Sequence, residues 1–314
     1  MNIINRYRRP LSYGLMIGFI VIAALMIFAD FHAVALRFET INLRFIPLIL
    51  ILAPLNYLLR YLKWNYFINL AGIKPEPRIN RYIFMSGLGM TITPGKVGEL
   101  LKCYLLKEHT GAPVSQTAPI VLVERVTDGL AMLILASIGF IAYPFGLYII
   151  IVTAALMAAL IIFFQSESLF NALTNSLSRI KLLEKVVIFS RDFYYSTRNL
   201  LSARSLLFTV SLGVISWSFE GLVVYLAMLA LGGEISILGA FLVIGMSSLA
   251  GAISFLPGGL GVAEGSIMAI LILLGSDKDL AAATTLITRF STLWLGVAIG
   301  IFALFMVNKL IVKE

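Results

Sequence analysis

Nineteen consecutive residues, Leu11 to Ala29, carry no charge, and a second run, Ile149 to Phe164, repeats the feature. A stretch of that length matches the hydrocarbon thickness of a bilayer when wound as a helix. The runs are continuous rather than alternating, which excludes a transmembrane barrel. Of all residues, 60% are hydrophobic and 13% charged, against about 45 to 50% and about 25% in soluble domains. The chain reads as an all-α polytopic membrane protein. Its 314 residues provide for membrane spans and their loops, with no room for an additional soluble catalytic domain.

The basic start, Arg6, Arg8 and Arg9, followed by an apolar run and by Ala33-Val34-Ala35, imitates a secretory signal. The run exceeds the roughly 7 to 15 residues of a signal core, so it is read as a retained first span. The lone Cys103 forms no internal disulfide, and His32 and His109 are too scattered for a metal site. No cofactor is expected. The net charge of +8 includes no basic run dense enough for nucleic acid.

Hydropathy places about six full spans near 11–29, 45–70, 117–141, 144–164, 206–230 and 281–308. Residues 82–106 and 237–275 are apolar segments broken at Thr93-Pro94-Gly95 and at Leu256-Pro257-Gly258-Gly259. Proline removes a backbone donor, and hydrocarbon cannot satisfy the polar groups so freed. Both breaks must therefore face protein or water. The arms of the first are too short to cross, which makes it a re-entrant hairpin; the second is a re-entrant loop or a crossing pair.

With a cytoplasmic amino terminus, the cytoplasmic segments hold three basic residues at the start, six from Lys74 to Lys107, six from Arg179 to Arg204 and two at the end. The opposite face holds only Arg37, Arg44 and Lys278. Such asymmetry sets both termini on the cytoplasmic side of the cell membrane. Residues 165–204 read either as an amphipathic segment on the cytoplasmic surface or as a linker bridging the bundle.

The two broken segments also share spacing. Pro94-Gly95-Lys96-Val97-Gly98-Glu99 precedes a span carrying Glu124-Arg125-Val126-Thr127-Asp128, and Pro257-Gly258-Gly259-Leu260-Gly261-Val262-Ala263-Glu264 precedes one carrying Thr288-Arg289-Phe290-Ser291-Thr292. Pro94 stands 31 residues before Arg125, and Pro257 stands 32 before Arg289. The single transmembrane domain, 1–314, thus divides into repeat A (about 45–141), a connecting span and amphipathic segment (about 144–204) and repeat B (about 206–308). The topology turns the copies upside down relative to each other. Inverted repeats with discontinuous helices build the midplane sites of many transporters.

A charge at the centre of a span costs about 2.5 to 3.5 kcal/mol on insertion scales, so intramembrane charges need partners. Arg60, Lys96, Arg125 and Arg289, with backbone N–H groups near Gly98 and Gly261, are candidate contacts for a phosphate-bearing head group, joined by Glu99 and Thr288. Glu124, Asp128, Glu220 and Glu264, with Pro94 and Pro257, are candidate gating or coupling residues. Glu124 and Asp128 share a helix face, and Glu99 and Lys102 are spaced to pair. Thr284, Thr288 and Thr292 form a polar stripe beside Arg289. Arg60 and Glu220 hold corresponding places in the two repeats. The competing reading is that these charges are buried ion pairs locking the hairpins to the spans.

The pattern resembles the flippase-like transmembrane domain of lysylphosphatidylglycerol synthases and its stand-alone relatives. The residues that carry the resemblance are Arg60 with Trp64, Pro94-Gly95 with Gly98-Glu99, Glu124-Arg125 with Asp128, and Pro257-Gly258-Gly259-Leu260-Gly261 with Glu264. It implies movement of aminoacylated phospholipids or other lipid-linked molecules between leaflets. The aminoacyl-transferase domain of some members is missing from the pattern, so synthase activity is not implied. The expected function is a lipid translocase whose partners are the membrane and a lipid with an anionic or phosphate-bearing head group. Two further readings stand beside it: a membrane enzyme acting on a lipid head group with Glu124 or Asp128 as general base, and a non-transporting accessory subunit of a separate synthase or glycosyltransferase, with that lipid-modifying enzyme as partner. No ATP-binding motif is visible.

Overall fold

In the computed structural model, residues 3–93, 98–142, 146–178, 194 and 197–311 are described. All regular structure among them is helical. Pro94 and Lys96, at the tip of the first break, lie outside the described residues.

Helix α1 (Ile3–Phe28) ends at Asp30, a non-glycine residue at φ 66°. The Asp30 side chain accepts from the His32 N–H at 3.0 Å and caps α2 (Phe31–Glu39). The chain bends by 94° there, so the loop expected after the first span is a short helix set across it. Arg37 of α2 holds it down through its Nε, 2.6 Å from Asp279 Oδ2.

A 3-10 turn leads into α3 (Ile46–Leu70). The first broken segment comprises α4 (Pro77–Gly89), a 3-10 turn (Met90–Ile92) and, beyond the tip, α5 (Leu101–Thr110). Proline opens α4, where its missing N–H leaves nothing unpaired. Next come α6 (Val114–Phe140), α7 (Gly146–Gln165) and α8 (Glu167–Leu177). Then comes α9 (Ala203–Ala230). The second broken segment is α10 (Ile237–Ile253), a 3-10 turn (Pro257–Gly259) and α11 (Val262–Leu273). The last span is α12 (Lys278–Arg289), a π-helical stretch (Phe290–Trp294) and α13 (Leu295–Ile311).

Three helical segments among the described residues are long and apolar enough to cross a membrane, Leu43–Leu70, Ala203–Ala230 and Lys278–Val307, and the bent α1–α2 pair makes up to four. They coincide with four of the expected spans. The expected span at 117–141 is the 27-residue α6, which Glu124, Arg125 and Asp128 keep from qualifying by composition alone. The one at 144–164 is the 20-residue α7. Large apolar side chains such as Phe19, Leu207 and Phe302 are exposed, as lipid-facing residues of a membrane protein are.

The most extensive helix contacts are α4 with α13, α10 with α6, and α3 with α9. The helix before each break therefore packs on the span that follows the other break. Glycine permits this approach: a Cβ on Gly89 would stand 3.0 Å from the Gly300 backbone, and one on Gly245 2.7 Å from that of Ala136. The arms α10 and α11 also pack on each other, so the second break is a hairpin. The two 3-10 turns meet, and a Cβ on Gly258 would lie 3.4 Å from Ile92 Cγ2.

Candidate functional site

At the second break, Gly258, Gly259 and Gly261 all take positive φ, which glycine adopts without steric penalty. The chain can then turn from α10 into α11 within a few residues. Glu264 accepts the Gly261 N–H at 2.6 Å and caps α11. Its other oxygen receives Arg289 Nε at 2.6 Å, while Arg289 Nη2 donates to the Gly258 carbonyl at 2.9 Å. One arginine from the last span thus binds both the cap and the freed carbonyl of the broken helix.

Around Arg125 the charges are packed more densely. Arg125 pairs with Glu99 at 3.4 Å and with Asp128 at 3.0 Å. Asp128 also pairs with Lys63 of α3, and Glu124 pairs with Lys102 of α5 at 2.6 Å. The Lys102 ammonium rests 4.2 Å from the centre of the Trp64 ring, a cation–π contact. Lys102 therefore joins Glu124 rather than the neighbouring Glu99. Lys63, Lys102 and Arg125 face Glu99, Glu124 and Asp128, so the cluster is neutral. All but Arg125 have side chains no more than 3% exposed.

Glu124 and Asp128 flank Arg125, whereas Thr288 and Thr292 stand at the same spacing from Arg289. Three residues on from Glu99 is Lys102, and three on from Glu264 is Ile267. Along α3 and α9, positions 160 residues apart face each other through a reciprocal pair: Asn56 donates to the Ser216 carbonyl and Ser216 to the Asn56 carbonyl. The same offset sets Val223 against Lys63. At these positions the surroundings of Arg289 have neither the two anions nor the two cations found around Arg125, in keeping with the cost of an unpaired buried charge.

An open cavity lies beside the contact of the two 3-10 turns. Tyr57 and Arg60 of α3 line it with Trp217 and Glu220 of α9, and Arg289, Gly258 and Thr292 close another side. The 160-residue offset relates Tyr57 to Trp217 and Arg60 to Glu220, so positions of α3 and α9 at that offset share one chamber, Arg60 and Glu220 with opposite charges. The π-helical stretch borders it. Tyr57 Oη donates to the Thr292 carbonyl there at 2.5 Å, and Gly296 leaves space for that hydroxyl, since a Cβ would come within 2.8 Å of it.

Among the expected site residues, the cavity gathers Arg60, Glu220 and Arg289. Glu99, Glu124, Arg125 and Asp128 form the separate buried cluster, and Glu264 and Pro257 stand behind the cavity wall. The Gly98 N–H donates to Thr93 Oγ1 at 2.9 Å, and the Gly261 N–H serves the cap, so the protein itself uses both backbone donors. Thr288 Oγ1 donates to the Thr284 carbonyl at 2.8 Å; of the threonine stripe, only Thr292 lines the cavity. Lys63, Tyr57 and Trp217 were not among the expected site residues. The two aromatics carry no polar signature in an apolar helix, and the partner of Lys63 lies in another helix. Among the described residues there is no group of three or more metal-ligating side chains.

Two broken hairpins packed among apolar spans, with paired charges inside, define a helical multi-pass membrane protein. Residues 15–300 match the lysylphosphatidylglycerol synthase TM region, and the chain belongs to that family. The match is to the membrane region, and no catalytic synthase domain is detected. Relatives include the UPF0104 membrane protein PH1989 of Pyrococcus horikoshii, 24% identical over 301 residues, covering 87% of this chain and 90% of that protein. A UPF0104 membrane protein of Methanothermobacter thermautotrophicus is 23% identical, covering 96% of this chain and 94% of its own. MJ1078 of Methanocaldococcus jannaschii is 28% identical over 71% of this chain and 96% of that protein.

Proposed function

We propose that this protein is a lipid translocase, carrying an amphiphile with an anionic or phosphate-bearing head group between leaflets while its tails stay in the bilayer. One observation carries the reading: the 3-10 turns Met90–Ile92 and Pro257–Gly259 touch, and a cavity lined partly by charged and polar groups lies beside their contact. Discontinuous helices that meet in this way are a recurring device for a midplane site.

On this reading the chain is one domain of about six spans, with both termini cytoplasmic and repeats A and B inverted. The reciprocal Asn56–Ser216 pair and the exchanged packing of α4 on α13 and α10 on α6 support the repeat, because a two-fold axis generates such pairs. The uneven spread of basic residues supports the inversion. Arg125–Glu99 and Arg289–Glu264 then hold each hairpin to its own repeat, and rocking of one repeat against the other would expose the cavity to alternate sides. A separate lipid-modifying enzyme would supply or consume the cargo. An enzymatic role for Glu124 or Asp128 is disfavoured by their ion pairs and by their position away from the cavity.

The test is a scrambling assay in proteoliposomes with fluorescent phospholipids and polyprenyl phosphates. Protein-dependent movement of at least one lipid is expected. Rates equal to those of protein-free liposomes across the panel would sink the reading.

A further inference from the structure

Most donors around the cavity already have protein acceptors. Arg289 is committed to Glu264 and the Gly258 carbonyl, and the Tyr57 hydroxyl to Thr292. Thr91 donates to the Leu88 carbonyl at 2.8 Å, Thr292 to that of Thr288 at 2.8 Å, and Ser247 to that of Ile244 at 3.3 Å. Three donors differ. Arg60 makes no ion pair with any described carboxylate, with Glu220 lining the same cavity, and it lies over the Trp217 ring, 5.7 Å from its guanidinium carbon to the ring centre. Trp217 is 7% exposed, and its Nε1–H is buried without an acceptor. Ser248, which also lines the cavity, has no hydrogen bond to a described group.

A buried N–H without an acceptor is unfavourable by about 1 to 3 kcal/mol, and a half-buried guanidinium lining a cavity is suited to an anion. A tetrahedral oxyanion presents several acceptors to donors arriving from different directions, and its charge suits an arginine fork. We propose that Arg60, Trp217 and Ser248 form a seat for the phosphodiester of a membrane lipid, while Arg125 and Arg289 position the hairpins and do not touch the ligand. The seat rests on the cavity's being the lipid path, yet it can be tested by binding alone.

The experiment uses the full chain in detergent, with dihexanoyl phosphatidylglycerol, dihexanoyl glycerol and sn-glycerol 3-phosphate as probes and dissociation constants read by titration. The phospholipid is expected to bind at least tenfold more tightly than the phosphate-free lipid or the tail-free phosphate. Trp217→Phe, which keeps the ring and removes the N–H, should weaken phospholipid binding about tenfold. Arg60→Gln should weaken it about a hundredfold, with Arg60→Lys between, and none of the three should change binding of dihexanoyl glycerol. Ser248→Ala, a small change on a half-buried side chain, serves if Trp217→Phe does not fold, and should cost about threefold.

Wild-type binding that ignores the phosphate overturns the seat, and so does unchanged binding by Arg60→Gln and Ser248→Ala. Glycerol phosphate binding as tightly as the lipid overturns the lipid as its source. Phosphate-dependent binding without movement in liposomes upholds the seat and removes the translocase reading. Movement indifferent to Arg60 and Trp217 does the reverse.

Discussion

Asn56 of α3 and Ser216 of α9 hold each other's backbone: Asn56 Nδ2 donates to the Ser216 carbonyl at 2.8 Å and Ser216 Oγ to the Asn56 carbonyl at 3.2 Å. Both side chains are buried, and the pair sits one residue before Tyr57 and Trp217, which line the cavity. It sets the register in which Arg60 and Glu220 meet the same space. Asn56→Ala and Ser216→Ala should each lower stability by about 1 kcal/mol. The double variant should lose less than the sum, because the pair acts as a unit. Melting temperatures of the four proteins in one detergent check this; strict additivity would refute the coupling.

Asp128 is the counter-charge of Lys63, whose side chain is 2% exposed. Asp128→Asn should destabilise the protein by about 3 to 5 kcal/mol, since it strands a buried ammonium. Lys63→Met with Asp128→Leu should recover much of that, because a buried ion pair replaced by apolar side chains leaves no charge unpaired. Thermal unfolding separates the variants. A fully stable Asp128→Asn protein would contradict the pairing.

Removing Arg289 alone should affect folding as well as transport, because it leaves Glu264 and the Gly258 carbonyl without their partner. The sequence alone favours a greater effect on transport, since the threonines beside Arg289 read there as a polar lining. Glu264→Gln should be milder than Arg289→Ala, since the amide can still accept the Gly261 N–H. Detergent-solubilised yield and melting temperature rank the two, and the reverse order counts against this geometry.

Gly296 faces the Tyr57 hydroxyl so closely that a methyl group would displace it. Gly296→Ala should lower stability by about 1 to 3 kcal/mol, the usual penalty of overpacking. Tyr57→Phe should relieve much of the clash in the double variant. A Gly296→Ala protein that melts with the wild type would show that Tyr57 can turn aside.

Much of the architecture is legible along the chain. The apolar runs, the Pro-Gly breaks and the matched spacing to Arg125 and Arg289 are local properties, and they locate the spans, the hairpins and the arginines that bind hairpin glutamates. The bend after α1 is not legible, since it turns on Asp30 at φ 66° and on an ion pair to Asp279 far along the sequence. Nor is the assignment of roles among the charges. By composition Arg60, Arg125 and Arg289 are equivalent cations. In the fold, Arg125 and Arg289 are paired, and Arg60 faces the cavity.

The primary sequence by itself determined that this chain lives in a bilayer, where it must break its helices, and which family it resembles, because hydropathy and backbone hydrogen bonding depend on neighbouring residues. Only the tertiary structure decided which charge neutralises which and which donors are left facing the cavity. Ion pairs form over a few ångströms between helices separated by tens to hundreds of residues, and no local pattern encodes those distances.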